Sequence, residues 1–393
     1  MNTILRERWT QSVVHLKTVV AAARRVTVCV DDWSKPNLTS SYLGISACFF
    51  DPRSHVSRHV VLNVTELPHP HTGEILANVI DECLQDWNIG HNKVMMVVSD
   101  NGSNIVKAIR LLSERAAISA DVEDEEELSD ETDDDDDDEN VADTDNCEND
   151  IPIPLPCPRM LCMAHTLQLV IRKVYSHFDS VLSKARRLVA RVRKSGIAME
   201  KLASSAGKVV ICDNSTRWNS TYTMIKRLLE LRVPLKDVLD EMKVDSLLVA
   251  DWTRLEEVAA LLEPFSIQTD NLQTDAVSLS FAIPAILDLQ YHLQTFQYNK
   301  TLTTSLLSDL NERFSCLLNP NADNFCALPA ASCLLDPSVA AALLTPDHTA
   351  LCEAAKKFII AEVCTLLYVT AIRGAVIVVV VDSDLHRAVL YRV

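Results

Sequence analysis

The order of residue patterns predicts an α/β core of three strands, a helix, a strand and a helix, followed by a long all-helical region. Three observations carry that prediction. Residues 26 to 64 hold three runs rich in β-branched and aromatic residues, separated by turn formers. A helical pattern then leads into Val94-Met95-Met96-Val97-Val98, a continuous apolar run. From Leu161 to about Lys300 the apolar residues recur at helical spacing with few strand signals.

Taken in order, Val26 to Val30, Tyr42 to Phe50 and Val56 to Val64 read as strands, and their short connections favour antiparallel neighbours. A helix is expected from about Thr72 to Trp87, with Thr72 as its cap and Ile75, Val79, Ile80, Cys83 and Leu84 on one face. The run ending at Val98 fits a central strand covered on both faces, with that helix as its crossover. A short helix from Ser103 to about Ala117 follows. Residues 361 to 381 are largely apolar, but Glu362, Arg373 and Gly374 interrupt them. The uninterrupted run Ala375 to Val381 falls far below the roughly 20 residues of a spanning helix and reads as a β-strand, so no membrane is expected.

The charge is unevenly distributed. The net charge of -17 comes from 54 acids and 37 bases, yet residues 121–150 alone hold 19 of the acids and no Lys or Arg. That insert, with six consecutive aspartates from Asp133 to Asp138, can form no core and is expected to be a disordered surface loop. The rest of the chain is close to neutral. Between Arg159 and Lys236, 16 bases face only four acids. Arg187, Arg191 and Lys194 recur there at helical spacing, either as a stripe suited to a phosphate backbone or as a solvated helix face. Tethered close by, the acidic insert is expected to compete with nucleic acid for those bases. The seven glycines include no G-x-G pair, which excludes the phosphate-cradling loops of nucleotide enzymes. Twelve scattered cysteines and a charged N-terminus point to a reducing compartment.

Asp31 is expected just where the first strand ends, and Asp100 closes the crossover strand. If those strands are parallel neighbours, the carboxylates converge at one sheet edge, as a pair that takes up a proton or holds a hard cation such as Mg²⁺. The alternative is a pair of strand-end or helix-cap aspartates. Cys162-x-x-His165 lacks a fourth ligand for structural zinc, so no zinc is expected, and a packed thiol beside a hydrogen-bonded imidazole is the simpler reading. Trp218 beside Arg217 offers either a stacking plane with a phosphate partner or a packed residue at a helix start.

Five segments occur in the order seen in hAT-superfamily transposases: Asp31-Asp32-Trp33-Ser34, Tyr42-Leu43-Gly44, Ser99-Asp100-Asn101-Gly102-Ser103-Asn104, Cys162 to Leu169, and Thr216 to Tyr222. Leu262-Glu263-Pro264-Phe265 and Leu334-Leu335-Asp336-Pro337 continue the match. The chain resembles that superfamily from about Val26 to Leu344, and most of all its domesticated host proteins named for a BED zinc finger. The resemblance implies an RNase H-like core (βββαβα) interrupted by a large all-α insertion. It divides the chain into core at 1–120, acidic insert at 121–150, core again at 151–180, helical insertion at 181–345, and an atypical tail at 346–393.

The resemblance also implies roles. Asp31 and Asp100 fall on two of the three acids that hold Mg²⁺ in the transposases, with Asp32 a departure from the usual pattern. Trp33, His165, Arg217 and Trp218 fall beside the processed DNA end. The third acid, a glutamate in a dimerisation segment, has no counterpart after Leu344, where only Glu353 and Glu362 remain, and no BED finger precedes residue 26. The expectation is therefore a nuclear, DNA-associated or transcription-regulatory protein without a complete catalytic set and without a stable homodimer. Nuclear proteins are expected to engage the acidic insert, and Mg²⁺ belongs only to the alternative, an active DNA transposase or nuclease. A protein-interaction scaffold is the third reading.

Overall fold

The computed structural model describes residues 3–35, 40–122, 159–214, 218–273, 279–372, 377–382 and 387–392. These fall into two compact units, Met1–Cys162 and Met163–Val393. Most of the acidic insert, and Arg217, lie outside the described residues.

Alternation builds the first unit. Val26, Val28 and Val30 are buried on one face of β1 (Val26–Ser34), while Thr27 and Cys29 lie half-buried on the other. β2 (Ser41–Asp51) alternates in the same way, with Leu43, Ile45, Ala47 and Phe49 buried. β3 (Val56–Leu67) completes an antiparallel meander. The crossover α2 (Gly73–Asp86) returns the chain so that β4 (Val94–Ser99) runs parallel to β1, and β5 (Arg159–Leu161) runs parallel to β4. The sheet order is β3-β2-β1-β4-β5. Its buried face packs with α2, α3 (Ser103–Val122) and the end of an N-terminal helix, α1 (Thr3–Ala22), into one hydrophobic core.

The structure refines the sequence reading at several points. Thr72 is the N-cap of α2, its hydroxyl accepting from the Ile75 N–H at 3.4 Å, but the buried stripe runs through Leu76, Ala77, Ile80, Cys83 and Leu84 and leaves Ile75 and Val79 half-buried. β1 does not end at Val30. It continues to Ser34, because β2 goes on pairing with it through Trp33↔Tyr42 and Ser34↔Ser41 after β4 has stopped. α3 extends five residues past Ala117. A bulge interrupts the β2–β3 ladder: Ile45 pairs Asn63 and Ser46 pairs Val61, so Leu62 is left over. The buried indole N–H of Trp87 takes the Leu62 carbonyl at 3.0 Å and satisfies it.

The second unit is mostly helical: α4 (Met163–His177), α5 (Asp179–Arg193), α6 (Gly196–Ala206), α7 (Trp218–Glu230), α8 (Arg232–Met242), α9 (Val249–Leu272), α10 (Ala282–Thr295), α11 (Lys300–Arg313), α12 (Ser315–Leu318), α13 (Leu328–Leu335) and α14 (Thr349–Ile372). Apolar stripes such as Val181, Leu182, Ala185, Leu188, Val189 and Val192 of α5 are buried. The valine-rich run near the C-terminus forms β6 (Ile377–Asp382), paired with β7 (Arg387–Arg392) in a separate two-stranded sheet. Among the described residues no helix is long and apolar enough to cross a membrane.

Candidate functional site

In the first unit the C-terminal ends of β1 and β4 lie at one edge of the sheet. Their parallel register pairs Val28 with Val97 and Cys29 with Val98, where the ladder ends, and Asp100, the residue after β4, lies near enough for its charge to act on Asp32. β1 overruns its parallel neighbour there, so Asp31, Asp32 and Trp33 stand where the sheet opens, the position at which α/β folds place their sites.

The electrostatics of this edge follow from the convergence. Asp32 is exposed as a residue, yet loss of hydration raises its carboxyl above the ordinary value, and the charges of Asp100 and Asp31 raise it further. His71, just before the cap of α2, acts in the opposite direction. Both ring nitrogens of His71 are buried without a hydrogen-bond partner, and its ring lies 4.2 Å from that of His69. Asp100 is fixed by the turn that follows it, one carboxylate oxygen accepting from the Gly102 N–H at 3.1 Å. The Arg159 guanidinium ties β5 to the same turn through the Ser99 hydroxyl, the Asp100 carbonyl and the Asn101 side chain.

Beside the acids lies an aromatic platform. Trp33 is 43% exposed and stacks on Tyr42 with ring centroids 5.8 Å apart, while the Lys35 ammonium sits 5.1 Å above Tyr42. Gly44 gives this arrangement room, since a Cβ there would stand 3.0 Å from the Trp33 ring and push it aside. An indole held in this way offers a face on which an unpaired base can stack.

The remaining candidates belong to the second unit. His165 is half-buried in the first turn of α4. Trp218, the first residue of α7, is 6% exposed, and its carbonyl accepts from the Tyr175 hydroxyl at 2.6 Å, so its ring presents no stacking plane in this conformation. Burial pushes the Tyr175 phenol up. Around it a polar network links helices: Asp213 accepts from Arg186 at 2.7 Å and from Thr221 at 2.9 Å, while Asn219 bonds Asp270 and Ser266. Arg187, Arg191 and Lys194 are exposed and in no ion pair among the described residues. Their neighbours Lys184 and Arg186 are both paired, with Asp251 and Asp213. Of the two late glutamates, Glu353 pairs with Lys356 at 2.9 Å and Glu362 is exposed on α14.

No group of three or more His, Cys, Asp or Glu among the described residues is arranged to hold a metal ion. Two carboxylates at neighbouring strand ends do suit Mg²⁺, which takes one or two carboxylates and completes its shell with water and substrate phosphate.

Comparison with known proteins gives these features a context. Residues 29–128 match the family model of the ZBED1 RNase-like domain, and residues 160–261 match that of the ZBED1 RNase-like helical domain. Together the matches take in just over half of the chain. The chain belongs to the hAT-derived, BED-type family. The chain is 26% identical over 201 residues to human zinc finger BED domain-containing protein 4, across 48% of its own length and 17% of that protein's. It is 22% identical over 289 residues to the putative transcriptional regulator tpeD of Talaromyces stipitatus, covering 65% of this chain and 30% of that protein. Zinc finger BED domain-containing protein RICESLEEPER 1 of Oryza sativa is 22% identical over 308 residues, covering 74% and 37%. The BED-type chain therefore spans well under half the length of these relatives.

Sequence reasoning passed over Tyr42 and Lys35 as functional groups, set Asp32 aside, and did not single out His71 or Arg159. A signal for Tyr42 was present: a hairpin joining the first two strands puts its ring across from Trp33 and next but one to Gly44.

Proposed function

We propose that this BED-type chain is a nuclear, DNA-associated regulator, built on an RNase H-like core interrupted by a helical insertion, whose metal-dependent site is vestigial. The core comprises residues 1–120 and 151–180 and the insertion residues 181–345. The observation that carries the reading is the contrast along α5 and its surroundings. Lys184, Arg186, Lys201, Lys208 and Lys226 are each spent on a carboxylate, whereas Arg187, Arg191 and Lys194 face solvent without one. Cations left free at one-turn spacing can follow a phosphate backbone and release its counterions. The name of the Talaromyces relative supports a regulatory role, and the BED finger names support contact with DNA.

The test replaces Arg187, Arg191 and Lys194 together by Gln and measures binding to a duplex by fluorescence anisotropy across a salt series. Each phosphate contact contributes about 0.9 to the slope of log K against log salt, so the slope should fall by roughly 2 to 3. An unchanged affinity and slope would remove the stripe from the DNA-binding surface.

A metal-dependent nuclease is the second reading, favoured by the meeting of Asp31, Asp32 and Asp100 at one edge. Mg²⁺ held by Asp31 and Asp100 would supply charge stabilisation at a phosphate oxygen. The chain's own part would be to seat an unpaired base on Trp33 and to hold the Asp100 carboxylate through the Gly102 N–H. Nicking of DNA that needs Mg²⁺ and disappears in Asp100→Asn would favour this reading over the vestigial site.

A further inference from the structure

The outer edge of the five-stranded sheet is β3, twelve residues long, whose only strand partner among the described residues is β2. Long edge strands are normally shortened, charged, bulged or covered, because their outward N–H and C=O groups pair with any passing strand, and β3 carries two of these devices, a charge at Arg58 and the bulge at Leu62. The same strand carries Val56, Val61 and Val64 at 54%, 61% and 55% exposure. The bulge at Leu62 divides its side chains in a specific way. Val61 and Val64, opposite Ser46 and Gly44, share the face away from α2, whereas Asn63 and Thr65, opposite the buried Ile45 and Leu43, turn toward it. There they meet Val79, Glu82, Asp86 and Trp87 around a cavity of about 310 Å³. All its lining residues come from β3, α2 and the residue after α2, and none from β2, so the cavity opens at the edge of the sheet.

We propose that this edge is a docking site for an extended peptide in which apolar residues alternate with Lys or Arg. The peptide adds as a sixth strand beside β3, its backbone taking the outward hydrogen-bonding groups. Side chains pointing away from α2 rest on Val61 and Val64 and need to be apolar. Those pointing toward α2 enter the cavity, where charge decides their type. Glu82 and Asp86 stand one helical turn apart on α2, a like-charged pair that a cation relieves. Lys17 pairs with Asp86 at 3.0 Å and lies 5.6 Å over the Trp87 ring, whereas Glu82 is in no ion pair among the described residues. Asn63 and Thr65 add acceptors suited to an ammonium or guanidinium. An acidic or purely apolar strand would bury one of these carboxylates without compensation.

The probe is a fluorescein-labelled peptide of alternating valine and lysine, titrated with the full chain by fluorescence anisotropy. Saturable binding that weakens with salt is expected, and the same peptide with glutamate in place of lysine should not bind. Glu82→Lys should weaken binding by about tenfold or more. Val64→Lys should weaken it through the other face. Both residues are exposed, so circular dichroism and the melting temperature should stay those of the parent protein. The proposal is overturned if the lysine peptide fails to bind, if the glutamate peptide binds equally well, or if Glu82→Lys leaves affinity unchanged. It is equally overturned if light scattering shows a dimer that Val64→Lys dissolves while the peptide does not bind, since the edge would then serve a second copy of the chain.

Discussion

Neutralising Asp32 should make the first unit more stable, which is unusual for a substitution at a polar strand end. Its carboxyl is raised above the ordinary value by lost hydration and by the charges of Asp100 and Asp31. The folded protein therefore binds this proton more tightly than the unfolded chain does. The sign follows: folding is penalised once pH rises above the unfolded value of about 3.9, and the penalty is largest at neutral pH. Neighbouring strands stand about 4.8 Å apart, so charges at their ends are separated by roughly 6 Å. Between bulk water and the effective dielectric constant of about 20 usual near a protein surface, one such pair costs roughly 0.7–2.8 kcal/mol. Discounted for exposure, Asp32→Asn should gain roughly 0.5–1.5 kcal/mol at pH 7 and clearly less at pH 4. Asp100→Asn keeps the oxygen that accepts from Gly102, so the double variant should gain less than the two singles added. Urea unfolding, followed by amide exchange in peptides from β1 and β4, reads the first unit by itself. A loss of stability in Asp32→Asn at pH 7, or a gain unchanged between pH 7 and pH 4, would refute the convergence of the three carboxylates.

Two further outcomes test the frame that carries the site. Trp87→Phe keeps the ring but leaves the buried Leu62 carbonyl without its donor, so it should cost about 1–3 kcal/mol in urea unfolding; a neutral result would mean the bulge needs no pin. Asp51, almost fully buried in the β2–β3 turn, accepts from the Ser54 hydroxyl at 2.7 Å, the Arg53 N–H at 3.0 Å and the Arg58 guanidinium at 2.9 Å, which together hold its carboxyl well below the usual range. That stability is present above the unfolded carboxylate value and is lost as pH falls toward the folded one, so Asp51→Asn should destabilise at pH 7 and flatten the acid side of the stability profile.

The meander, the crossover helix and the parallel return of β4 were legible because each rests on one local signal: β-branched runs, a capped amphipathic stripe, a short apolar run after a helix. α1 and the three-residue β5 were not. Residues 7–12 of α1 are exposed and carry no apolar stripe, and β5 is too short to show a period. The end of β1 was misjudged for a related reason. Asp31-Asp32 reads as a strand terminator in isolation, but the β2 partner continues opposite it and holds the backbone extended.

The same contrast holds at the candidate site. Asp31 and Asp100 could be picked out because each closes an apolar run, a property of one segment. Asp32 points to the opposite side of its strand from Asp31 and reads as a departure; only tertiary placement gives it the charge of Asp100 and the counter-influence of His71. Trp218 shows the reverse. Of the two readings open to it beside Arg217, the structure takes the packed one, since the tryptophan starts a helix and is buried, while Trp33 stays exposed where Gly44 leaves room for its ring. A glycine diagonally across a hairpin from a tryptophan is thus a stronger sign of a usable aromatic face than a tryptophan next to an arginine. The first fixes where the ring lies, and the second fixes only which residues are adjacent along the chain.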